Sequence, residues 1–331
     1  MKKSYRCIEL DPSNSQLKIA ERTVADLHPD QVLVQVWGSP INPSDRLFCK
    51  GVYGSSAKSP TIPGFEGVGT VVASGSGFMA RRLLRKRVSG AVQGQEGFWA
   101  EYVVLPAKQC LVLPDSISNE TAACAFVNPL TALALMEPLR KKKFYSLVQT
   151  GAASQLGRMI YRLCQKQNIP SIHVVHRPEL KESLLREGYQ EVLDSSSSPF
   201  LLDLTQKVKQ YDVHYALDSV AGNMTHLLAQ ALPEKSQIVV YGILSGKNCE
   251  VSPGDLIFKD IALKGFWLSH WLQTKNPLQL GKVFYDLKKF LRKEGQTQVA
   301  RKLNFEQAVQ DILNPAHQDS SGKTLVLPAT F

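Results

Sequence analysis

The six cysteines (Cys7, Cys49, Cys110, Cys124, Cys164 and Cys249) include no CxxC pair and no cluster, which argues against a disulfide framework and against a structural zinc. No stretch approaches the ~18 uninterrupted apolar residues of a membrane span. The longest candidate, from Ala122 to Met136, is broken by Asn128, Pro129 and Thr131. Export is not indicated either. The start, Met1-Lys2-Lys3-Ser4-Tyr5-Arg6, is basic, but mixed polar sequence follows it rather than an apolar stretch ending in small residues, so a cytoplasmic location is expected. Neither GxSxG nor HExxH occurs, which weakens a hydrolase reading. The seven histidines are dispersed and read as surface or core residues rather than ligands.

Acid is the scarcer charge. There are 29 Asp and Glu against 39 Lys and Arg, a formal +10, which favours anionic partners such as nucleotides, phosphorylated substrates or nucleic acid. The basic runs Arg81–Arg87, Arg140–Lys143 and Lys288–Lys293 read as solvated faces. No aromatic-interleaved basic motif or RNA module accompanies them, so nucleic acid is not the expected partner.

What is present is a globular composition, 44% hydrophobic, 21% charged and 8% aromatic, over 331 residues, enough for about two domains of roughly 150 residues each. The first ~115 residues predict short strands punctuated by Gly, Pro and Ser, an antiparallel β domain. Gln31–Val36 alternates with period 2, and Val68–Val72 and Ala100–Val104 are further strands. From Ser146 the texture changes. Apolar strands at Ser146–Thr150, Ser171–His176, Glu191–Asp194, Val213–Leu217, Gln237–Tyr241 and Ile261–Phe266 alternate with helical stretches, the pattern of a parallel sheet with helices on both faces. A helix over Leu278–Glu294, a strand over Gln298–Leu303, a helix over Phe305–Leu313 and a strand over Lys323–Pro328 then read as an antiparallel coda that returns to complete the first domain.

The strand Ser146–Thr150 runs into Gly151-Ala152-Ala153-Ser154-Gln155-Leu156-Gly157 and a helix beginning near Arg158. Backbone N–H groups at such a helix start can hold a pyrophosphate. The GxGxxG spacing falls on Ala152, Ser154 and Gly157, so only the third glycine is kept, and an ordinary tight turn has the same look. After the next strand, Val174-Val175-His176-Arg177-Pro178 offers a cation where NAD-binding turns carry an acid. That suits the 2′-phosphate of NADP, although Arg177 also reads as a solvated residue at a helix start.

Dehydrogenases of this β plus α/β layout often use zinc, yet no converging ligand set is visible. In Pro63-Gly64-Phe65-Glu66-Gly67, Phe65 stands where a liganding His would be, and Cys49 has no partner Cys nearby; no metal is expected.

Ile41-Asn42-Pro43-Ser44-Asp45, Gly51-Val52-Tyr53-Gly54, Pro63–Gly69, Gly97-Phe98-Trp99-Ala100-Glu101-Tyr102 and Asn128-Pro129-Leu130-Thr131-Ala132 occur in this order. So they do in the zinc-free medium-chain dehydrogenase/reductases, which the chain resembles over nearly its whole length. Leu256-Ile257-Phe258-Lys259-Asp260 and Gly265-Phe266-Trp267-Leu268-Ser269 narrow the resemblance to the 2-enoyl thioester reductases, the branch with the trans-2-enoyl-CoA reductases; quinone oxidoreductases share the rest. The resemblance implies an α/β fold: a GroES-like β domain over 1–115, completed by 295–331, and a Rossmann doubly wound parallel-sheet domain over 116–294. The active site is then expected in the cleft between them.

It further implies that NADPH delivers hydride to Cβ of an enoyl thioester, on CoA or acyl carrier protein, while a proton reaches Cα. Tyr53 matches the proposed acid; without the family it is an ordinary half-buried residue. Cofactor contacts carry over to Asn128, to Ala153, Ser154, Gln155 and Leu156, to His176 and Arg177, to Tyr241, Gly242, Ile243 and Leu244, to Phe266, Trp267, Leu268 and Ser269, and to Lys323. Phe266 and Trp267 also fit a core. Pocket width is expected to depend on Phe48, Phe65, Phe126 and Trp271, and a homodimer is expected from the family. Two departures stand out: His176-Arg177 is shorter than the basic-acidic-basic segment of the mitochondrial enzymes, and Arg85-Lys86-Arg87-Val88 replaces the usual GDxV turn. The competing readings are a quinone or alkenal reductase using the same hydride donor, and a non-enzymatic NADPH-holding protein that binds RNA or a protein partner.

Overall fold

The structure, a computed structural model, describes residues 4–54, 57, 59–92, 94, 96–314 and 322–328. Met1–Lys3, part of the segment read for an export signal, lie outside the described residues. Two compact units divide the chain, Met1–Leu130 with Tyr285–Phe331, and Thr131–Phe284.

The first unit opens with an antiparallel hairpin of β1 (Ser4–Asp11) and β2 (Gln16–Thr23). Then come β3 (Gln31–Pro40), α1 (Pro43–Cys49), β4 (Glu66–Ser74), α2 (Phe78–Leu83), β5 (Arg87–Ala91), β6 (Tyr102–Pro106), β7 (Cys110–Val112), α3 (Asn119–Ala123) and the start of α4 (Val127–Leu135). Val32, Val34 and Val36 of β3 are buried while Gln35 is exposed, the alternation its sequence carries. Residues 116–130, expected in the second domain, belong here. The reason is local: α3 packs on β3, β4 and β5, and Ser89 Oγ donates to the Ala122 carbonyl at 2.7 Å.

The second unit runs through α5 (Glu137–Arg140), β8 (Leu147–Gln149), α6 (Gln155–Gln167), β9 (Ser171–Val175), α7 (Pro178–Arg186), β10 (Val192–Asp194), α8 (Phe200–Gln210), β11 (Tyr215–Asp218), α9 (Asn223–Ala231), β12 (Gln237–Val240), α10 (Pro253–Ile257), β13 (Ala262–Gly265) and α11 (Leu268–Gln273). Its strands are all parallel, in the order β10-β9-β8-β11-β12-β13. This is the doubly wound order, and its direction reverses between β8 and β11, where such sheets take their ligands. Val148, Ile172, Ala216 and Ile238 form a fully buried centre, and each large aliphatic side chain so buried contributes about 1.5–3 kcal/mol.

After α12 (Pro277–Leu291) the chain returns through β14 (Val299–Leu303), α13 (Phe305–Asp311) and β15 (Lys323–Val326). The first unit's sheet runs β14-β15-β3-β4-β5-β7, with β6 paired to β3. The coda is not wholly antiparallel as its sequence suggested. β14 and β15 pair in parallel, and only β15 meets β3 antiparallel, because α13 between them acts as a crossover.

One basic run also differs from its expected role. Arg81, Arg82, Arg85 and Lys86 are exposed, but the Arg87 guanidinium donates to Asn119 Oδ1 (2.7 Å) and to the carbonyls of Pro114 (2.7 Å) and Ile117 (2.8 Å). It fastens the segment leading into α3.

Candidate active site

In the second unit the carboxyl ends of the parallel strands bring most of the expected cofactor residues to one sheet edge. β8 is followed by Thr150 and Gly151; Gly151 has φ +61°, and a Cβ there would lie 2.4 Å from Ser219 Oγ, so any other residue would be strained in the turn. The Ser154 side chain accepts from the Gly157 N–H at 3.0 Å, a normal N-cap. α6 therefore starts at Gln155, earlier than its sequence suggested. Gly157, the kept glycine, is needed for packing: a Cβ would stand 2.5 Å from the Ala152 carbonyl oxygen.

The neighbouring loops are laced to this turn. Ser219 donates its N–H to Thr150 Oγ1 (2.8 Å) and its hydroxyl to the Thr150 carbonyl (3.1 Å). Fully buried Asp218 accepts from Thr150 Oγ1 (3.1 Å), from the amides of Val220 (2.9 Å) and Ala221 (3.2 Å), and from Thr225 Oγ1 (2.7 Å). The Tyr241 and Leu244 amides donate to the carbonyls of Asp218 (2.9 Å) and Ser219 (3.0 Å), which draws Tyr241-Gly242-Ile243-Leu244 alongside. Burial pushes the Tyr241 hydroxyl above its usual range. Asp218 and Ser219 escaped the sequence reading, although an acid closing the apolar strand Tyr215-Ala216-Leu217 was a visible signal.

At the end of β9, His176 and Arg177 are both exposed. His176 Nδ1 is 3.0 Å from Ser195 Oγ. Arg177 is the N-cap residue of α7, extended, with no side-chain capping bond, and Pro178 begins the helix. The cation is thus at a helix start, and its side chain is not used to cap it. Phe266-Trp267-Leu268-Ser269 follow β13, with Trp267 42% exposed. Trp271 of the expected pocket set instead donates to Glu137 Oε2 (2.9 Å) under the Lys275 ammonium. With Phe266 it lines a cavity of about 280 Å³ beside Tyr215 and Val239.

The first unit holds Tyr53, Asn128 and Lys323. Half-buried Tyr53 rests on Phe65 with ring centroids 5.2 Å apart, and Phe65 meets Phe48 edge-on at 5.4 Å. The Phe65 amide donates to Asp45 Oδ1 (2.9 Å) and the Asn42 amide to Asp45 Oδ2 (2.8 Å). The Asn42 side chain donates to Glu66 Oε1 (3.0 Å), and Glu66 Oε2 accepts the amides of Phe126 (2.9 Å) and Val127 (3.0 Å) at the start of α4, which carries Asn128. A carboxylate is well placed there, opposite the positive end of the helix dipole. Lys323 is buried, donates to Asn42 Oδ1, and supplies the positive charge near both acids. Burial pushes the Asp45 carboxyl up to about 7 and raises Glu66 as well, against the hydrogen bonds and Lys323. One buried network thus joins Tyr53's packing partner to the helix of Asn128. Asp45 and Glu66 were missed as functional residues although both lie in the family motifs.

Residues 28–115 match the alcohol dehydrogenase GroES-like domain. The mitochondrial enoyl-[acyl-carrier-protein] reductase of Caenorhabditis elegans is 31% identical over 283 residues, covering 83% of this chain and 80% of the relative. The chain belongs to the enoyl thioester reductase family of the medium-chain dehydrogenase/reductases. Its Arabidopsis thaliana relative of the same name is 30% identical over 78% of this chain and 70% of that protein. Among solved structures, a Mesorhizobium loti protein assigned as an NADPH:quinone reductase superposes with a TM-score of 0.89, 29% identity and 99% coverage of both chains. The mitochondrial 2-enoyl thioester reductase heterodimer from Candida tropicalis shares the fold, with a TM-score of 0.80, 21% identity and coverage of 98% and 100%. The protein is an oxidoreductase of this family, with a GroES-like unit and a parallel-sheet unit. Among the described residues no group of three or more His, Cys, Asp or Glu is placed to hold a metal, and no helix is long and apolar enough to cross a membrane.

Proposed function

We propose that the protein reduces the C2=C3 bond of trans-2-enoyl thioesters with NADPH. The observation that carries this reading is Tyr53, a hydroxyl on a Gly-flanked loop backed by Phe65, in a chain whose relatives are named enoyl reductases. NADPH, when bound, supplies the hydride. Tyr53 then donates a proton to Cα, and its hydroxyl stabilises the negative charge that builds on the thioester oxygen. The turn at Ala153, Ser154, Gln155 and Leu156 holds the pyrophosphate, His176 and Arg177 the 2′-phosphate, and Asn128 orients the nicotinamide. Tyr241–Leu244 and Phe266–Ser269 wall the ring, and Lys323 keeps the helix of Asn128 in place through Asn42 and Glu66. The basic surface suits the phosphates of CoA or of an acyl carrier protein.

The test is NADPH oxidation with a short trans-2-enoyl-CoA, a quinone and an alkenal as acceptors; turnover of the thioester above the others supports the reading. The likeness to the Mesorhizobium protein favours a second reading, quinone or alkenal reduction, which turnover of only those acceptors would establish. For the cofactor, Arg177→Ala is expected to raise the NADPH dissociation constant about tenfold or more, the worth of one charge-assisted contact of 1.5–3 kcal/mol. NADH binding stays unchanged in isothermal titration, and an equal loss for both dinucleotides refutes the assignment.

The same reading includes a homodimer. The outer edge of β13 pairs with no described strand, and the residues leading to it, Ile257 and Phe258, are 69% and 80% exposed. An open edge beside apolar side chains is what a second copy would cover. Ile257→Asp with Phe258→Asp is expected to give a monomer in sedimentation velocity where the unmodified protein is a dimer.

A further inference from the structure

Arg158 is an odd residue for its position. It is the fourth residue of α6, only 9% exposed, beside Ala153 and Tyr189, which belong to an apolar cluster. A Leu or Met would pack there without the several kcal/mol that desolvating a guanidinium costs. Its bonds show what the charge is used for. Nε donates to the Ala153 carbonyl at 3.1 Å, and the other end of the guanidinium pairs with Glu187, the residue that ends α7. The amide of the same peptide unit, Ser154 N–H, donates to the Gly151 carbonyl at 3.0 Å. The Ala153–Ser154 peptide is therefore gripped from both faces before any ligand arrives.

We propose that Arg158 is a positioning residue of the phosphate turn: by fixing the Ala153 carbonyl, it holds the backbone around it, with the amides of Ala153, Gln155 and Leu156, in the orientation that receives a pyrophosphate. The proposal rests on the reading of that turn as the pyrophosphate site. Its physical basis is preorganisation. Without the guanidinium the peptide can rotate, and ligand binding must then supply the ordering free energy itself. Glu187 compensates the charge, so the effect lies in the direction of the peptide more than in added positive potential. Arg162, one turn further along α6, is a neighbouring cation that adds to burial in lowering the guanidinium's affinity for its proton.

The experiment separates the two phosphate groups of the cofactor. ADP-ribose carries the pyrophosphate without a 2′-phosphate, and adenosine 2′-monophosphate the reverse. Titration calorimetry on the unmodified protein, Arg158→Met and Arg158→Lys is expected to show ADP-ribose weakened about tenfold in both variants, 1.4 kcal/mol, with adenosine 2′-monophosphate unchanged. Arg158→Lys keeps the charge but lacks the planar fork, so it decides the matter if Arg158→Met fails to give the native circular dichroism spectrum. Equal losses for both fragments mean general loosening and overturn the proposal, as does unchanged ADP-ribose binding. If the unmodified protein binds neither fragment, the nucleotide reading itself fails. If it binds both and the variants match it, only the role of Arg158 fails.

Discussion

Tyr53→Phe should lower kcat for a trans-2-enoyl-CoA by roughly 10²–10⁴, the range of general acid catalysis, while leaving quinone reduction near the level of the unmodified protein. The substitution is clean, because the ring that rests on Phe65 is kept and only the hydroxyl is lost. Reduction of an enoyl thioester places an electron pair on Cα and the thioester oxygen, and a phenol can bond that charge and release its proton late. A quinone reduced at oxygen takes protons from water and has no such need. The loss should fall on kcat and kcat/KM together with little change in KM, since the interaction exists only in the transition state. Stopped-flow oxidation of NADPH measures it. A silent variant would return Tyr53 to a packing role.

Glu66→Ala should cost about 3–5 kcal/mol of stability, the usual penalty for removing one partner of a buried charged network. Its carboxylate accepts from two amides at the start of α4 and from Asn42, and Lys323 balances its charge. Truncation leaves those N–H groups dry and the ammonium with Asp45 as its remaining counter-charge. Glu66→Gln should lose less, since one acceptor oxygen is kept. Urea titrations followed by far-UV circular dichroism give both values; a change under about 1 kcal/mol for Glu66→Ala would show that water replaces the carboxylate, which its 1% exposure argues against.

The strands were legible where one face is buried and the other wet, as in Gln31–Val36, or where a short apolar run is covered on both sides, as in Ser171–Val175. β1 was not, because Cys7, Ile8, Glu9 and Leu10 are all buried and the alternation is lost with an acid in the run. The direction of β14 against β15 was not, since a crossover rather than the strand sequence sets it. Within the candidate site, the turn between β8 and α6 and the position of His176-Arg177 after β9 could be read because each is local to a strand end. Asp45, Glu66 and Arg87 could not. Each satisfies backbone groups 20 or more residues away, and no spacing rule foretells which distant amide a buried carboxylate will meet. Tyr53 was legible only through its motif, and Arg158 looked like any surface residue of an amphipathic helix.

The first unit is made of two chain segments, and its last strand carries the ammonium that its first half requires. Ribosomes release these pieces in order. Once Leu130 has been added, β15 follows only after about 10–40 s at 5–20 residues per second, and throughout that interval the Ser39–Pro40 end of β3 lacks its β15 partner and the Asn42–Glu66 pair lacks Lys323. The second unit is contiguous in sequence, so all its strands are added meanwhile. The nascent protein therefore has every strand of its parallel sheet, the last ending at Gly265, before the β unit ahead of it receives β15.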